Sequence, residues 1–306
     1  MYIETQRIIL EQALEYLNKY KVEDIKPILK GYSDDAKYLI KLIDGKSLLL
    51  KVSPMKDFKR KKQELIYLKL HYNNGVKCSQ PLEFFILEEH DVCVSLLTFL
   101  EGKSGEEVLP LLSKEEQYSL GWKASEELRK IHKVEHIESF DWYKKRWDKY
   151  LKKKKIVKEL GYTFYKQDVI EDYIEKNYEI LKDSPVRFQH DDFQPLNMIF
   201  NGNELRGIID FNRFDWGDPL EEFFKLPKYT NGISVEFSKG QVDGYFAGFV
   251  SDYFWRKYNL FVALNFHASI IGGHYLNTLD MVRERQRKIF DTHDFVNHGA
   301  PEWYIK

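Results

Sequence analysis

Cysteine is almost absent from this chain: its 306 residues include only two, Cys78 and Cys93. The two do not form the C-x-x-C pair of metal or redox sites, and their pattern favours free or buried thiols over a disulfide. The sequence therefore does not favour a disulfide-stabilised scaffold or a cysteine-based metal centre.

Long apolar runs are also missing. No stretch approaches the ~20 apolar residues that a membrane-spanning helix needs, and residues 1–17 mix charge with helical apolar spacing instead of showing the layout of a secretion signal. We therefore expect a cytoplasmic protein with no membrane partner. No linker rich in proline, glycine or serine divides the chain, and its 43% hydrophobic and 15% aromatic content is enough for a sizeable core in two lobes.

The most informative segment is 187–222. Within it, His190, Asp192 and Asn197 form an H-x-D-x-x-x-x-N pattern, and Asp210 follows an apolar run. Phosphoryl transfer needs a carboxylate that orients the attacking hydroxyl and oxygen ligands that hold magnesium over the phosphates. This segment has one residue of each kind.

Local signals predict a β-hairpin in the same segment. Residues 197–200 are typical of a short strand, Asn201-Gly202 of a tight hairpin turn, and 204–210 of the returning strand. The hairpin would bring Asn197 and Asp210 towards the same end, where both could ligate a metal. The alternative is that Asp191, Asp192 and Asn197 are turn formers, as Asp and Asn often are.

At these residues the chain resembles the aminoglycoside phosphotransferase family, which shares the protein-kinase-like fold with choline kinases. The resemblance implies that Asp192 is the catalytic aspartate and that Asn197 and Asp210 are magnesium ligands. Gly217-Asp218-Pro219 matches a structural element of the family. The chain departs from the family pattern at two positions: Asp191 replaces the usual glycine, and Glu222 stands where an aspartate is common.

The N-terminal half contains candidates for nucleotide binding. Asp44-Gly45 between apolar runs predicts a hairpin, Lys51 ends the second run, and Glu64 lies in a predicted helix over residues 56–71. By resemblance, Lys51 would hold the α- and β-phosphates and Glu64 would hold Lys51. The alternative is a surface lysine and an ordinary helical glutamate.

The predicted phosphate loop has a single glycine, Gly31, and Ser33 could donate a hydrogen bond to a phosphate or serve as a turn residue. The strand-like run 92–100 precedes Glu101-Gly102, where the kinase-like fold has its hinge. By resemblance, the backbone of Thr98 and Leu100 would bond the adenine edge. Backbone recognition does not distinguish ATP from GTP.

These features predict an α+β, two-lobed, protein-kinase-like fold. We expect a small antiparallel-sheet lobe for nucleotide binding over residues 1–100, a hinge near 97–102, and a larger, mainly helical lobe for catalysis and acceptor binding over 101–306.

The net charge of −1 hides an excess of basic residues in the first half and of acidic residues in the second. An acidic pocket would suit a polycationic acceptor, although acidic surface also serves solubility. The candidate ammonium partners are Glu221, Glu222, Glu236, Asp252 and Asp280. The basic, aromatic stretch 142–155 is better explained as a solvated helix than as a nucleic-acid site.

The favoured function is magnesium-dependent transfer of the γ-phosphoryl group of ATP or GTP to a hydroxyl of an aminoglycoside or similar cationic antibiotic, as in antibiotic resistance. The alternatives are a kinase for a small metabolite, such as choline, an amino sugar or a hydroxylated amine, and a nucleotide-binding protein without turnover. Intact Lys51, Asp192, Asn197 and Asp210 argue against the last. We expect a small-molecule acceptor that is cationic and rich in hydroxyls.

Overall fold

The structure is a computed structural model that describes residues 2–29, 35–136, 138 and 140–306. Gly31 and Ser33 of the predicted phosphate loop lie outside the described residues. The chain divides into two compact units, each built from two segments. The sheet unit comprises Met1–Ser104 and Met198–Asn212, and the helical unit comprises Gly105–Asn197 and Arg213–Lys306.

The sheet unit is built on five antiparallel strands in the order β1-β2-β3-β5-β4. The strands are β1 (Val22–Pro27), β2 (Ala36–Leu42), β3 (Ser47–Pro54), β4 (Pro81–Leu87) and β5 (Val92–Thr98). Along β3, Leu48, Leu50 and Val52 are buried, as expected from the two-residue period of a strand. Helix α1 (Tyr2–Tyr16) contributes Ile9 and Ala13 to the same core.

Helix α2 (Phe58–Asn73) follows β3 after a short 3₁₀ turn. It carries Glu64 as predicted, but it begins and ends two residues later than the sequence pattern indicated. The turn at Met55–Asp57 accounts for the late start, because its backbone is hydrogen-bonded in 3₁₀ geometry before the α-helix begins.

A second, three-stranded sheet in this unit contains the predicted hairpin. Its strands are β6 (Lys103–Ser104), β8 (Met198–Asn201) and β9 (Glu204–Ile208), in the order β6-β8-β9. The hairpin lies against the rest of the unit with backbone close to backbone: Ile208 N donates to Lys77 O at 2.8 Å, and a Cβ on Gly207 would come within 2.8 Å of the same carbonyl oxygen. Glycine is therefore required at position 207.

The helical unit contains a short antiparallel pair, β7 (Arg187–Gln189) with β10 (Asp215–Gly217), and helices of different lengths. The helices are α3 (Gly105–Val108), α4 (Lys114–Ile131), α5 (Trp142–Glu159), α6 (Gln167–Asn177), α7 (Val235–Tyr245), α8 (Asp252–Leu264), α9 (Phe266–Tyr275), α10 (Leu279–Thr292) and α11 (Glu302–Ile305). Helix α4 begins with a capping box between Ser113 and Glu116. Helices α4 and α7 touch through backbone, since a Cβ on Gly121 would come within 2.1 Å of Phe237 O.

The fold class predicted from the sequence is confirmed: an antiparallel-sheet unit and a mainly helical unit make an α+β, kinase-like fold. The predicted lobe boundaries stay a prediction. Within the part of the chain that the structure describes, no helix is both long and apolar enough to cross a bilayer.

Candidate active site

The predicted catalytic loop lies in the helical unit, between β7 and a 3₁₀ turn at Pro195–Asn197. Asp191 has φ of 55°, in the left-handed region that favours glycine and, among other residues, Asp and Asn. This backbone conformation explains why a glycine is common at this position of the motif and why an aspartate can replace it. His190 is buried, and its Nδ1 accepts a hydrogen bond from Asp192 N at 3.2 Å.

Asp192 is fixed by hydrogen bonds from its own loop. Asn197 Nδ2 donates to Asp192 O at 2.9 Å and to Asp192 Oδ2 at 3.0 Å, and Gln194 Nε2 donates to Asp192 Oδ1 at 2.8 Å. The Asp192 side chain is 11% exposed. The loop therefore sets the orientation of this carboxylate, and it turns the amide oxygen of Asn197 away from Asp192.

Two cations lie next to Asp192, and neither was singled out in the sequence. Lys225 Nζ is 3.4 Å from Asp192 Oδ1 and its side chain is 8% exposed, whereas Arg213 Nη1 is 3.9 Å from Asp192 Oδ2 and its side chain is 64% exposed. Lys225 also lies 4.9 Å from the ring centre of Phe224 and 5.7 Å from that of Tyr229. A lysine within an otherwise apolar run, 223–227, was the available signal for Lys225.

In the sheet unit, Lys51 and Glu64 come together as the sequence predicted. Lys51 Nζ is 3.8 Å from Glu64 Oε1, and their side chains are 15% and 7% exposed. The distance is that of an ion pair and exceeds that of a hydrogen bond. Their expected roles towards a nucleotide stay a prediction.

A neighbouring ion pair was not predicted. Lys61 Nζ lies 2.5 Å from Asp35 Oδ2, and both side chains are 4% exposed. Lys61 also lies 3.9 Å from Glu64. Burial tends to raise the pKa of Asp35, but hydrogen bonds from Lys61 and Ser53 outweigh it and bring that pKa below its ordinary value. Lys61 is thus committed to Asp35, whereas Lys51 has no comparably short contact among the described residues.

Asp210 follows β9 in the sheet unit and has φ of 71°. Asn212 Nδ2 donates to Asp210 Oδ1 at 2.6 Å, and the side chain is half-buried. Lys37 is a charged neighbour: its pKa is lowered by burial and by Lys51, and raised in part by Asp210. Among the described residues, no three His, Cys, Asp or Glu side chains form a metal-binding cluster.

The expected hinge residues lie at the end of β5. Thr98 N donates to Gln80 O at 3.0 Å, and Thr98 Oγ1 accepts from Gln80 N at 2.8 Å. The N–H of Thr98 is therefore already used within the sheet unit, and the expected contact of its backbone with adenine stays a prediction. Leu100 packs against Gly207, where a Cβ would come within 2.8 Å of one of its methyl carbons.

The five carboxylates proposed for acceptor binding lie on separate elements or are already engaged. Glu221 pairs with the buried Arg146 at 2.9 Å, and Glu222 is 2% exposed. The other three are Glu236 in α7, 4.0 Å from Lys239, Asp252 in the first turn of α8, and Asp280 in α10, 4.0 Å from Arg283. Their role in acceptor binding stays a prediction.

The buried side chain of Glu222 contacts the backbone of the half-buried Asp191 beside the loop. Asp191 N donates to Glu222 Oε1 at 2.6 Å. Burial, with the nearby charge of Asp191, raises the pKa of Glu222 to about 8, and burial also raises the pKa of Asp191. The pair acts as part of the loop's framework, since Glu222 holds the backbone of the residue before Asp192.

Asp218, of the G-D-P element, is fully buried. Its Oδ2 accepts from Lys257 Nζ at 2.7 Å and from Ser184 Oγ at 2.7 Å, and its Oδ1 accepts from Leu220 N at 2.8 Å. A Cβ on Gly217 would come within 2.4 Å of the Trp142 indole nitrogen. These contacts tie the segment after β10 to α5 and α8.

A family model covers most of the chain. Residues 24–258 match a family described as the phosphotransferase enzyme family. No curated protein matches the chain at a significant level.

Solved structures share the fold at low sequence identity. Aminoglycoside phosphotransferase APH(2'')-Ib, with bound ADP, has a TM-score of 0.60 and 20% identity over 91% of this chain and 98% of its own. Aminoglycoside 2'-phosphotransferase-IIIa, in a GDP complex, has a TM-score of 0.65 and 15% identity over 92% and 97%. Amicoumacin kinase hAmiN, in complex with AMP-PNP, Ca²⁺ and Ami, has a TM-score of 0.61 and 13% identity over 96% and 99%.

Proposed function

The chain belongs to the phosphotransferase enzyme family, and we propose that it transfers the γ-phosphoryl group of ATP or GTP, with magnesium, to a hydroxyl of a small molecule. The observation that supports this most strongly is the state of Asp192, a carboxylate oriented by Asn197 and Gln194 and flanked by Lys225. A fixed carboxylate of this kind can orient an acceptor hydroxyl and accept its proton as the phosphoryl group is transferred.

Each of the other residues has one role in this proposal. Lys51, held by Glu64, binds the α- and β-phosphates, and the backbone of Thr98 and Leu100 receives the base. Ser33 is a candidate hydrogen-bond donor to a phosphate of the nucleotide. Lys225, with two N–H groups beyond its contact to Asp192, can neutralise charge on the phosphoryl group in transit.

The donor set suits magnesium. Asp210 offers a carboxylate held by one hydrogen bond, and Asn197 offers an amide oxygen because its nitrogen is engaged with Asp192. Magnesium takes hard oxygen ligands and keeps several waters or substrate phosphates, so two protein ligands are enough. When bound, the ion would neutralise charge on the phosphate oxygens.

The acceptor has two candidates. Similar structures of aminoglycoside phosphotransferases support an aminoglycoside or a related cationic antibiotic, and thus a role in resistance. The second candidate is a small hydroxylated metabolite, and a specific observation favours it: Asp192 has the cations Lys225 and Arg213 beside it, and Glu221 is already paired with Arg146.

The first experiment is transfer itself. Purified protein with magnesium and either ATP or GTP is incubated with aminoglycosides, amino sugars, choline and hydroxylated acids, and both nucleoside diphosphate and phosphorylated acceptor are measured. We expect stoichiometric formation of the two products with at least one acceptor class. A protein that binds nucleotide but forms neither product with any acceptor would be the non-catalytic alternative.

The metal assignment is tested by magnesium titration of nucleotide binding. We expect Asp210→Asn to abolish the magnesium dependence and turnover together, because it removes an anionic ligand. Asp44→Asn, in the exposed turn between β2 and β3, is the matched control. An unchanged magnesium titration for Asp210→Asn would exclude Asp210 as a ligand.

A further inference from the structure

A small cavity that is partly open to solvent lies within the helical unit, between the π-helical turn Leu226–Thr230 and helices α8, α9 and α10. Most of its wall is apolar, with Phe224 among the lining side chains, but two cationic groups, Lys228 and Arg285, also line it. An apolar cavity with a few polar groups is the usual form of a small-ligand site.

The two cations are half-buried and have no carboxylate partner among the described residues. Among the residues that the structure describes, neither Lys228 nor Arg285 makes an ion pair with an acidic side chain, although Arg283, on the same helix, pairs with Asp280. Both are near the ring of Tyr229, with 5.0 Å from Lys228 Nζ and 5.8 Å from Arg285 Cζ to the ring centre.

The charges around Lys228 would favour the binding of an anion. Burial lowers its pKa below the ordinary value, and the cations Lys225 and Arg285 lower it further, while the neighbouring Tyr229 opposes them. Two positive charges facing one cavity repel each other, so an anion placed between them would relieve both the repulsion and the loss of hydration.

A third polar group in the wall is an unused acceptor. Gln286 is 3% exposed, and its Nε2 donates to Phe266 O at 2.8 Å. Its Oε1 is buried without a hydrogen-bond partner among the described residues. A ligand with both an anionic group and an N–H or O–H donor would satisfy the two cations and this amide oxygen together.

Lys225 connects this cavity with Asp192. Its Nζ is 3.4 Å from Asp192 Oδ1 and 4.9 Å from the ring centre of Phe224, which lines the cavity. It also lies 5.7 Å from the ring centre of Tyr229, the ring that Lys228 and Arg285 approach. Lys225 thus lies near both a side chain of the cavity wall and the carboxylate that would orient the acceptor hydroxyl.

We propose that this cavity binds a carboxylate or phosphate group of the phosphoryl acceptor, between Lys228 and Arg285, and that the acceptor is therefore a hydroxylated acid and not a polycation. The identification of the bound molecule as the phosphoryl acceptor rests on the proposed function. The anion site itself rests on the cavity, its two unpaired cations and the free oxygen of Gln286 within the described chain.

The first test is direct binding of small anions, without turnover. Malonate and inorganic phosphate are titrated calorimetrically into protein with magnesium and a non-hydrolysable ATP analogue, which occupies the nucleotide site. We expect saturable binding of at least one anion, weakened about tenfold or more by Lys228→Met and by Arg285→Gln, because each removes a charge-assisted hydrogen bond to the anion.

Two variants serve as controls. Arg287→Gln lies on the same helix as Arg285 but contacts Tyr165, so it should leave anion binding unchanged. Lys288→Met removes an exposed lysine and controls for Lys228→Met. Melting temperatures report whether each variant is folded. No saturable binding by wild type, or equal loss in the control variants, would overturn the anion site.

The second test uses acceptor pairs that differ by one anionic group and keep a free hydroxyl: ethanolamine with serine, and glycerol with glycerate and with glycerol 3-phosphate. We expect at least a tenfold larger kcat/KM for an anionic member, and loss of that preference in Lys228→Met through KM. Phosphorylation of aminoglycosides with kinetics unchanged by Lys228→Met would refute the proposal and leave the kinase assignment standing. Anion binding without transfer to any acceptor would refute the proposed function and leave the anion site standing.

Discussion

The two compact units hold their ionisable site residues in different ways. In the sheet unit, Lys51 and Glu64 are 3.8 Å apart, and one carboxylate oxygen of Glu64 is buried without a hydrogen-bond partner in the described chain. In the helical unit, Asp192 receives side-chain hydrogen bonds from Asn197, Gln194 and Lys225. The Lys51–Glu64 pair thus keeps hydrogen-bonding capacity unused, whereas Asp192 is held by several hydrogen bonds.

This difference matches the steps that the residues are proposed to serve. A group that binds a phosphate keeps hydrogen-bonding capacity for its ligand, and Lys51 does so. A group that orients a hydroxyl for reaction is most effective when its position is fixed before the substrate arrives. We infer that the nucleotide side is completed by its ligand and that the catalytic loop is preorganised.

The largest effect should come from Asp192. We expect Asp192→Ala to lower turnover by about 10²–10⁴, the range for loss of a general base, with nucleotide affinity little changed. Turnover and nucleotide binding measured separately check this. Asp191→Asn is the matched control, since Asn tolerates the positive φ at this position. An inactive Asp191→Asn beside an active Asp192→Ala would reverse the assignment.

The next effect distinguishes Lys51, which keeps hydrogen-bonding capacity for a ligand, from Lys61, which is paired with Asp35 in the same unit. We expect Lys51→Met to weaken nucleotide binding about tenfold to a hundredfold, since it removes a charge-assisted contact to phosphate. Lys61→Met should instead lower the melting temperature, because it leaves the buried Asp35 without its counter-charge.

Titrations of nucleotide binding and thermal unfolding of the two variants separate these outcomes. If Lys51→Met bound nucleotide like wild type, the phosphate contact would belong to another residue. If Lys61→Met were as stable as wild type, the contrast between the two lysines would be lost.

A smaller effect compares the two cations at Asp192. Lys225→Met should lower kcat about tenfold or more, because a buried cation next to the carboxylate is removed. Arg213→Gln should change it less than about fivefold, because exposed ion pairs contribute roughly 0–1 kcal/mol. Partial recovery in Lys225→Arg would show that charge is the property required. Equal losses for both positions would contradict the role given to burial.

The smallest effect on turnover is expected at Glu222. A substitution there should instead change how the free energy of unfolding depends on pH. Its pKa is raised from an ordinary 4.5 to about 8 in the folded protein, so folding disfavours the charged form. The stability this group contributes is complete below about pH 4.5 and is lost as pH rises through about 8. We expect Glu222→Gln to lose less stability than wild type between about pH 5 and pH 9, measured by denaturant unfolding. Parallel pH profiles for the two proteins would contradict the raised pKa.

The sequence predicted those features that depend on the spacing of residues close together in the chain. The hairpin at Asn201-Gly202, the helix with Glu64 and the fold class are local or periodic features, and the structure has them. The contact between Lys51 and Glu64, which the family resemblance implied, is also present.

Features that depend on distant residues could not be predicted. Lys225 reaches Asp192 from 33 residues away, and Lys61 reaches Asp35 across two elements; neither contact leaves a local pattern. The acceptor carboxylates were chosen by charge balance, which does not indicate whether Glu221 already has a partner such as Arg146. Composition describes a whole half of the chain, whereas a site depends on individual contacts.

The hairpin β8–β9 belongs to the sheet unit although it follows the first part of the helical unit in the chain. When Ser104 leaves the ribosome, the five main strands have been synthesised. Strand β9, whose Ile208 N donates to Lys77 O, has not yet been made. The sheet unit is therefore completed only after the catalytic loop has been synthesised. Because each unit is built from two separate segments of the chain, a single truncation or exchange of one segment cannot transfer either unit intact. We therefore expect recombination to keep the coding sequences of the two units together.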